Sequence, residues 1–98
     1  MRTMLSRHDT LLAQLACVTR AMRTLAAHHV TVERIEIGST DMPILHIECG
    51  GALARDPAKV LPNGWATYAR GRDARGDWQR SSGRLFGCAV EWEEVRHG

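Results

Sequence analysis

The densest group of side chains with chemical capacity lies between Trp65 and Arg84, where WATYARGR and WQRSSGR flank DARGD and read as a β-hairpin. With Arg72 paired to Trp78 across a five-residue loop, 73–77, strand alternation sets Arg70 against Arg80, Tyr68 against Ser82 and Ala66 against Arg84. One face then collects Tyr68, Arg70, Arg72, Trp78, Arg80 and Arg84, with Arg55 from the preceding loop as a further guanidinium. The other face carries Trp65, Thr67, Ala69, Gly71, Gln79, Ser81 and Gly83, too little apolar surface to bury much at about 25 cal/mol per Å². The hairpin therefore reads as an arm presented to a partner. Arginines give bidentate charge-assisted hydrogen bonds and rings give stacking area, which suits a phosphate-bearing or planar anionic partner. The same residue types anchor protein interfaces. The plain alternative is a solvated arginine face with Trp78 across the stems, and a one-residue slip in register would divide the cluster between two sides.

Elsewhere the chemistry is sparse. His46 and Cys49 stand three apart, which on an extended strand points them to opposite faces, and no second pair lies at a zinc-type interval. No metal or cofactor is expected. Cys17 lies beside an apolar helical stripe and Cys88 on the inner face of a strand, where a buried thiol is inert, while Cys49 before Gly50 and Gly51 is the thiol with a chance of exposure. The chain has no GxSxG elbow, P-loop or dinucleotide fingerprint, and GGALA lacks the strand, helix and Lys of a phosphate cradle. Glu91 and Glu93 read as an outward strand face beside Arg96. These features argue against an enzyme. Arg75, Gly76 and Asp77 form a tripeptide that reads as a turn.

The 98 residues are 44% hydrophobic and 24% charged, an ordinary globular composition with room for one domain, 1–98. Net charge is +2, unevenly spread. Residues 1–49 balance five Arg against five acids, 50–84 hold six Arg and Lys59 against three Asp, and 85–98 hold Arg96 against three Glu. The middle of the chain is the basic part. Arg20 and Arg23 interrupt the longest apolar stretch, so no membrane span is expected. Three widely spaced cysteines and no visible leader read as a cytoplasmic protein with reduced thiols.

The elements that must position the hairpin are legible in the periodicity. Met4, Leu11, Leu15, Val18, Met22 and Leu25 recur at helical spacing, widened by Leu12, Ala16 and Ala26. They predict a helix of about 23 residues, roughly 34 Å long. Ser6 and Asp9 resemble a capping box at its start, and His28 and His29 suit its C-terminus. VTVERIEI (30–37) and PILHIEC (43–49) predict a hairpin. Val30 and Val32 are out of phase with Ile35 and Ile37, which means either a bulge near Glu33 and Arg34 or a strand that begins later. Residues 50–64 read as a loop with one helical turn at Ala52 to Asp56. LFGCAVEWEEV closes the sheet, with Phe86, Cys88, Val90 and Trp92 alternating against Ala89, Glu91 and Glu93. The order predicts an α+β domain, a long N-terminal helix packed on one face of a four- to five-stranded antiparallel sheet.

The run Val30 to Cys49, with PILHIE as its second strand, and the closing GCAVEWEEV resemble small prophage-encoded accessory proteins of proteobacteria. These begin with a helix, pass through a PxIxI-like strand and end in a GCxVxW-like one. The resemblance implies a mobile-element accessory protein, and proteins of this size from such elements frequently dock on host machinery, as anti-CRISPR inhibitors do. Together with the hairpin it leads to the expectation of a non-catalytic inhibitor that binds a host protein or nucleoprotein complex. The alternative is an accessory protein that places the same face on nucleic acid. The near-heptad helix spacing permits a monomer or a homodimer.

Overall fold

The computed structural model describes residues 7–38 and 41–96, so the Ser6 cap and Met4 of the expected stripe lie outside the described residues. The chain order is α1 (Arg7–Ala27), β1 (Val32–Glu36), β2 (Ile44–Ile47), α2 (Gly51–Arg55), α3 (Pro57–Val60), β3 (Trp65–Asp73), β4 (Gly76–Leu85) and β5 (Cys88–Arg96). The fold is α+β, with the helices on one face of a five-stranded sheet of order β1-β2-β5-β4-β3. Three neighbouring pairs are antiparallel, but β2 and β5 run parallel through Ile44–Ala89, Leu45–Val90 and His46–Glu91. The sheet is thus mixed where the sequence suggested a wholly antiparallel one. Parallel neighbours need a long crossover, and here α2, α3, β3 and β4 together provide it.

One seam of α1 faces the sheet. Gln14, Val18, Ala21 and Leu25 are buried on it, and the last three of these with Leu53 of α2 and Val60 of α3 form a common core with Leu45, Ile47, Leu85, Cys88, Val90 and Trp92. The expected apolar stripe is therefore split: Val18 and Leu25 turn inward, whereas Leu12, Leu15 and Met22 stay exposed. Gln14 lies inside instead, its Oε1 accepting from the Gly38 amide at 3.0 Å and its amide donating to the Asp41 carbonyl at 3.5 Å. A polar side chain on the inner seam thus ties both ends of the β1–β2 connection to α1, satisfying backbone groups that burial would otherwise orphan.

The helix stops in a Schellman turn. The Val30 amide donates to the Leu25 carbonyl at 2.9 Å and the His29 amide to Ala26 at 3.0 Å, while His29 takes the left-handed φ of 58° usually given to glycine. Val30 and Leu25, both buried, supply the hydrophobic contact of that motif. Strand β1 starts at Val32 and its register shifts between Val32 and Arg34, so both parts of the phase mismatch in VTVERIEI are realised. Residues 51–60 form two short helices, with the expected turn as the first. Phe86, expected on the inner face of the closing strand, instead sits in the Phe86–Gly87 turn at φ 48° and is partly exposed. Both residues of this two-residue connection take left-handed backbone, Gly87 at φ 79°, as in a type I′ turn, which takes Phe86 out of the alternation.

The inner surface of the β3–β4 hairpin near α3 belongs to the core, contrary to the reading of the whole hairpin as a free arm. Ser81 and Gly83 are buried, and Gly83 owes this to its missing side chain. A Cβ there would meet Leu61 Cδ1 at 2.7 Å and the Gly64 carbonyl at 3.0 Å. Two substitutions test the packing in opposite directions. Gly83→Ala is expected to destabilise the fold by about 1–3 kcal/mol through overpacking, and His29→Gly to stabilise it by up to about 1 kcal/mol by removing the side chain from left-handed backbone. Urea unfolding midpoints check both.

Candidate binding surface

The β3–β4 connection is a two-residue turn. Asp73 pairs with Gly76, and Asp73 Oδ1 accepts from the Arg75 amide at 2.8 Å, while Gly76 takes φ 122°. Turning there, and not across residues 73–77, sets Arg72 against Asp77, Gly71 against Trp78, Arg70 against Gln79 and Ala69 against Arg80. The expected register is corrected by one residue, and with a side-chain period of two this reverses the face of every β3 residue next to the turn. Arg70 and Arg72 go to the inner side of the hairpin, and Trp78, Arg80 and Arg84 alternate to the outer side. The single face proposed from the sequence does not form.

A second irregularity partly rebuilds it. The register shifts again between Thr67 and Ala69, leaving Tyr68 as the extra residue of a bulge. Tyr68 faces Glu91 and Arg80, so it joins the outer side although Arg70 does not. The outer cluster is then Tyr68, Trp78 and Arg80. Trp78 lies flat over Gly71, where a Cβ would come within 2.4 Å of the indole, and the Arg80 guanidinium stacks 4.8 Å from the Trp78 ring centroid. Arg84 is on the same face but next to the β4–β5 turn, against Met42 Sδ. Arg55 is exposed on α2, on the side of the sheet that carries the helices.

Carboxylates that the sequence reading assigned to solvent organise this surface. Glu93 accepts from Arg75 Nη1 at 2.6 Å and from Arg80 Nε at 2.9 Å, and Arg75 also holds Asp73 at 2.8 Å. The Arg75 hydrogen bonds hold the carboxyls of Asp73 and Glu93 below the ordinary carboxylate range, with Arg80 adding to the effect on Glu93. Burial, then Glu91, raises the Tyr68 hydroxyl above its usual value and keeps it a neutral donor. Across the parallel seam Arg34, Glu36 and His46 form a second set, with Glu36 Oε1 3.5 Å from Arg34 Nη2 and 3.3 Å from His46 Nε2. The two sets border one open groove of about 580 Å³, lined among others by Arg34, His46, Tyr68, Arg80, Glu91 and Glu93. Strand alternation places His46, Glu91 and Glu93 on outer faces, but only the β2–β5 pairing brings them side by side, and no local pattern encodes it.

On the inner side, Arg72 grips Asp77 at 2.6 and 3.3 Å, and Gln79 donates to Glu94 at 2.9 Å. Two of the thiols, Cys49 and Cys88, are poorly placed for nucleophilic chemistry. Burial and then Cys17 push Cys88 up to about 11, and burial and then Glu94 raise Cys49. Among the described residues no three His, Cys, Asp or Glu side chains converge as a metal site, and no helix is long and apolar enough to cross a membrane. Compared with known proteins, the chain matches no family, no curated protein and no solved structure.

The lowered carboxyls give a pH dependence of definite sign. A carboxyl depressed in the folded state adds stability above its unfolded pKa and loses it as pH falls through the folded one. Unfolding midpoints are expected to drop below about pH 5, and Glu93→Gln to flatten that limb while leaving the neutral-pH fold intact. The change is small because these pairs are solvent-facing. Urea titrations of both proteins at a series of acidic pH values measure it.

Proposed function

We propose that the chain is a non-catalytic accessory protein that binds and inhibits a host protein or nucleoprotein complex in an anti-CRISPR-like way, with the outer face of β3–β4–β5 as its contact surface. The observation that carries this reading is the cluster of Tyr68, Trp78 and Arg80 on a sheet face that no described helix covers. Tyr, Trp and Arg are the residues that dominate binding energy in protein interfaces, provided they are held in place and shielded at the rim. Trp78 is held by Gly71, Arg80 by Trp78 and Glu93, and Tyr68 by the bulge. Ordering these side chains before a partner arrives lowers the entropic cost of association.

The charge pattern favours a protein partner over bare nucleic acid. Phosphate binding draws on guanidinium groups that can exchange water and counterions for phosphate oxygens. Arg34, Arg72, Arg75 and Arg80 already hold carboxylates, whose negative charge offsets theirs and repels a phosphate brought alongside. A surface of mixed, matched charges around two rings instead suits a partner patch of mixed charge, where it fixes register and excludes wrong partners. The inhibitory half of the proposal rests on the resemblance of Val30–Cys49 and GCAVEWEEV to prophage accessory proteins.

Affinity capture from a bacterial lysate, followed by a direct titration of the captured protein, tests the assignment. Trp78→Ala and Arg80→Ala are each expected to weaken binding by at least about 2 kcal/mol, whereas Arg70→Ala, on the opposite side of the hairpin, leaves it unchanged. Equal affinity for all three variants would remove the outer cluster from the function. A fluorescence titration with single- and double-stranded oligonucleotides is expected to show no binding at low salt. Binding that weakens steeply as salt rises would favour the nucleic-acid reading.

A further inference from the structure

Helix α1 carries two apolar seams, and the sheet uses only one. The second runs through His8, Leu12, Leu15, Thr19, Met22 and Ala26, alternating four- and three-residue steps. Leu12, Leu15 and Met22 on it are 64%, 48% and 40% exposed. Alternating steps of this kind are the requirement for one helix to bury a continuous stripe against another. Thr19, the polar member of the middle, donates its hydroxyl to the Leu15 carbonyl at 2.9 Å, so its hydrogen bond is already made within the helix. Burying this seam would therefore leave no hydroxyl unsatisfied.

We infer that this seam pairs antiparallel with the same seam of a second copy of the chain. The flanking residues identify the occupant. Along the edge of the seam stand Asp9, Ala16 and Arg23, each seven residues from the next and all exposed. A two-fold axis perpendicular to the helix near Ala16 sets Leu12 opposite Met22 of the second copy and Leu15 opposite Thr19. It also brings Asp9 to within about 3 Å along the axis of Arg23 of the second copy, at about 1.5 Å per residue. The edge is thus its own electrostatic complement when reversed, and the small Ala16 allows close approach at the axis. In a parallel pair Asp9 and Arg23 would stay at opposite ends. Arg20, beside this edge, is already engaged, its guanidinium stacking 4.6 Å from the centroid of Phe86. A 21-residue helix pair, about 32 Å long, buries less than a standard interface of about 1,600 Å², so a micromolar dimer is expected.

Sedimentation equilibrium of the full chain across the micromolar range tests the inference, with circular dichroism to confirm folding. Wild type is expected to show a monomer–dimer equilibrium. Leu15→Glu, an exposed position that the core does not use, is expected to raise the dissociation constant at least about tenfold. Asp9→Arg and Arg23→Asp each set like charges together and are expected to weaken the dimer. Combining the two substitutions in one chain is expected to restore it, since the opposite charges then face each other again with their places exchanged. A wild type that stays monomeric throughout, or a dimer indifferent to Leu15→Glu, would overturn the assignment, and failure of the double exchange to rescue would overturn the antiparallel arrangement. Trp78→Ala is expected to leave the equilibrium unchanged, which keeps this result separate from that of the outer face.

Discussion

Two residues, Ala74 and Arg75, connect β3 to β4, and the length of that connection decides which side chains of the hairpin can act together. A turn this tight fixes the pairing of Asp73 with Gly76, and every cross-strand neighbour as far as Ala69–Arg80 follows from it. The Asp73 carboxylate secures the turn by accepting from the Arg75 amide, and the Arg75 side chain reaches back to Asp73 and across to Glu93. One local arrangement therefore sets the backbone register, supplies the outer ion pairs and orients Arg80. The bulge at Tyr68 then moves the phase by one residue, so that Thr67 and Trp65 turn to the inner side while Tyr68 remains on the outside. Without that extra residue, Tyr68 would lie on the same side as Arg70 and Arg72.

The electrostatic consequence is a surface rich in arginine that is close to neutral. The central third of the sequence is basic, yet the sheet sets it against the acidic last strand, with Arg80 facing Glu93 and Arg75 reaching the same carboxylate. Charge that looks available in a linear count is consumed by cross-strand pairing. What remains distinctive on the outer face is the geometry of the rings and of the guanidinium between them.

Much of the scaffold is legible in the residues. The helix follows from its apolar spacing, the first hairpin from its alternation and turn residues, and the phase conflict between Val30, Val32 and Ile35, Ile37 correctly marks the irregularity in β1. The site is less legible for a physical reason. Asp73, Gly76 and Asp77 all favour turns, so composition does not separate a two-residue turn from a five-residue one, and that difference inverts a face. The parallel β2–β5 contact has no local signature, since neither strand carries residues that prefer it. On α1 both seams are apolar, and periodicity alone gives no reason for the sheet to choose the one holding Gln14.

Among the described strands, β5 is the only link between the β1–β2 hairpin and the β3–β4 hairpin within the sheet, and it is the last of the five in the chain. Until that strand is in place, β2 in one hairpin and β4 in the other each keep one edge unpaired. Without it the two halves of the sheet lack a common middle. That interval is when wrong edge pairing competes with folding, and the final strand, with Cys88, Val90 and Trp92 on its inner side, ends it by supplying both neighbours at once.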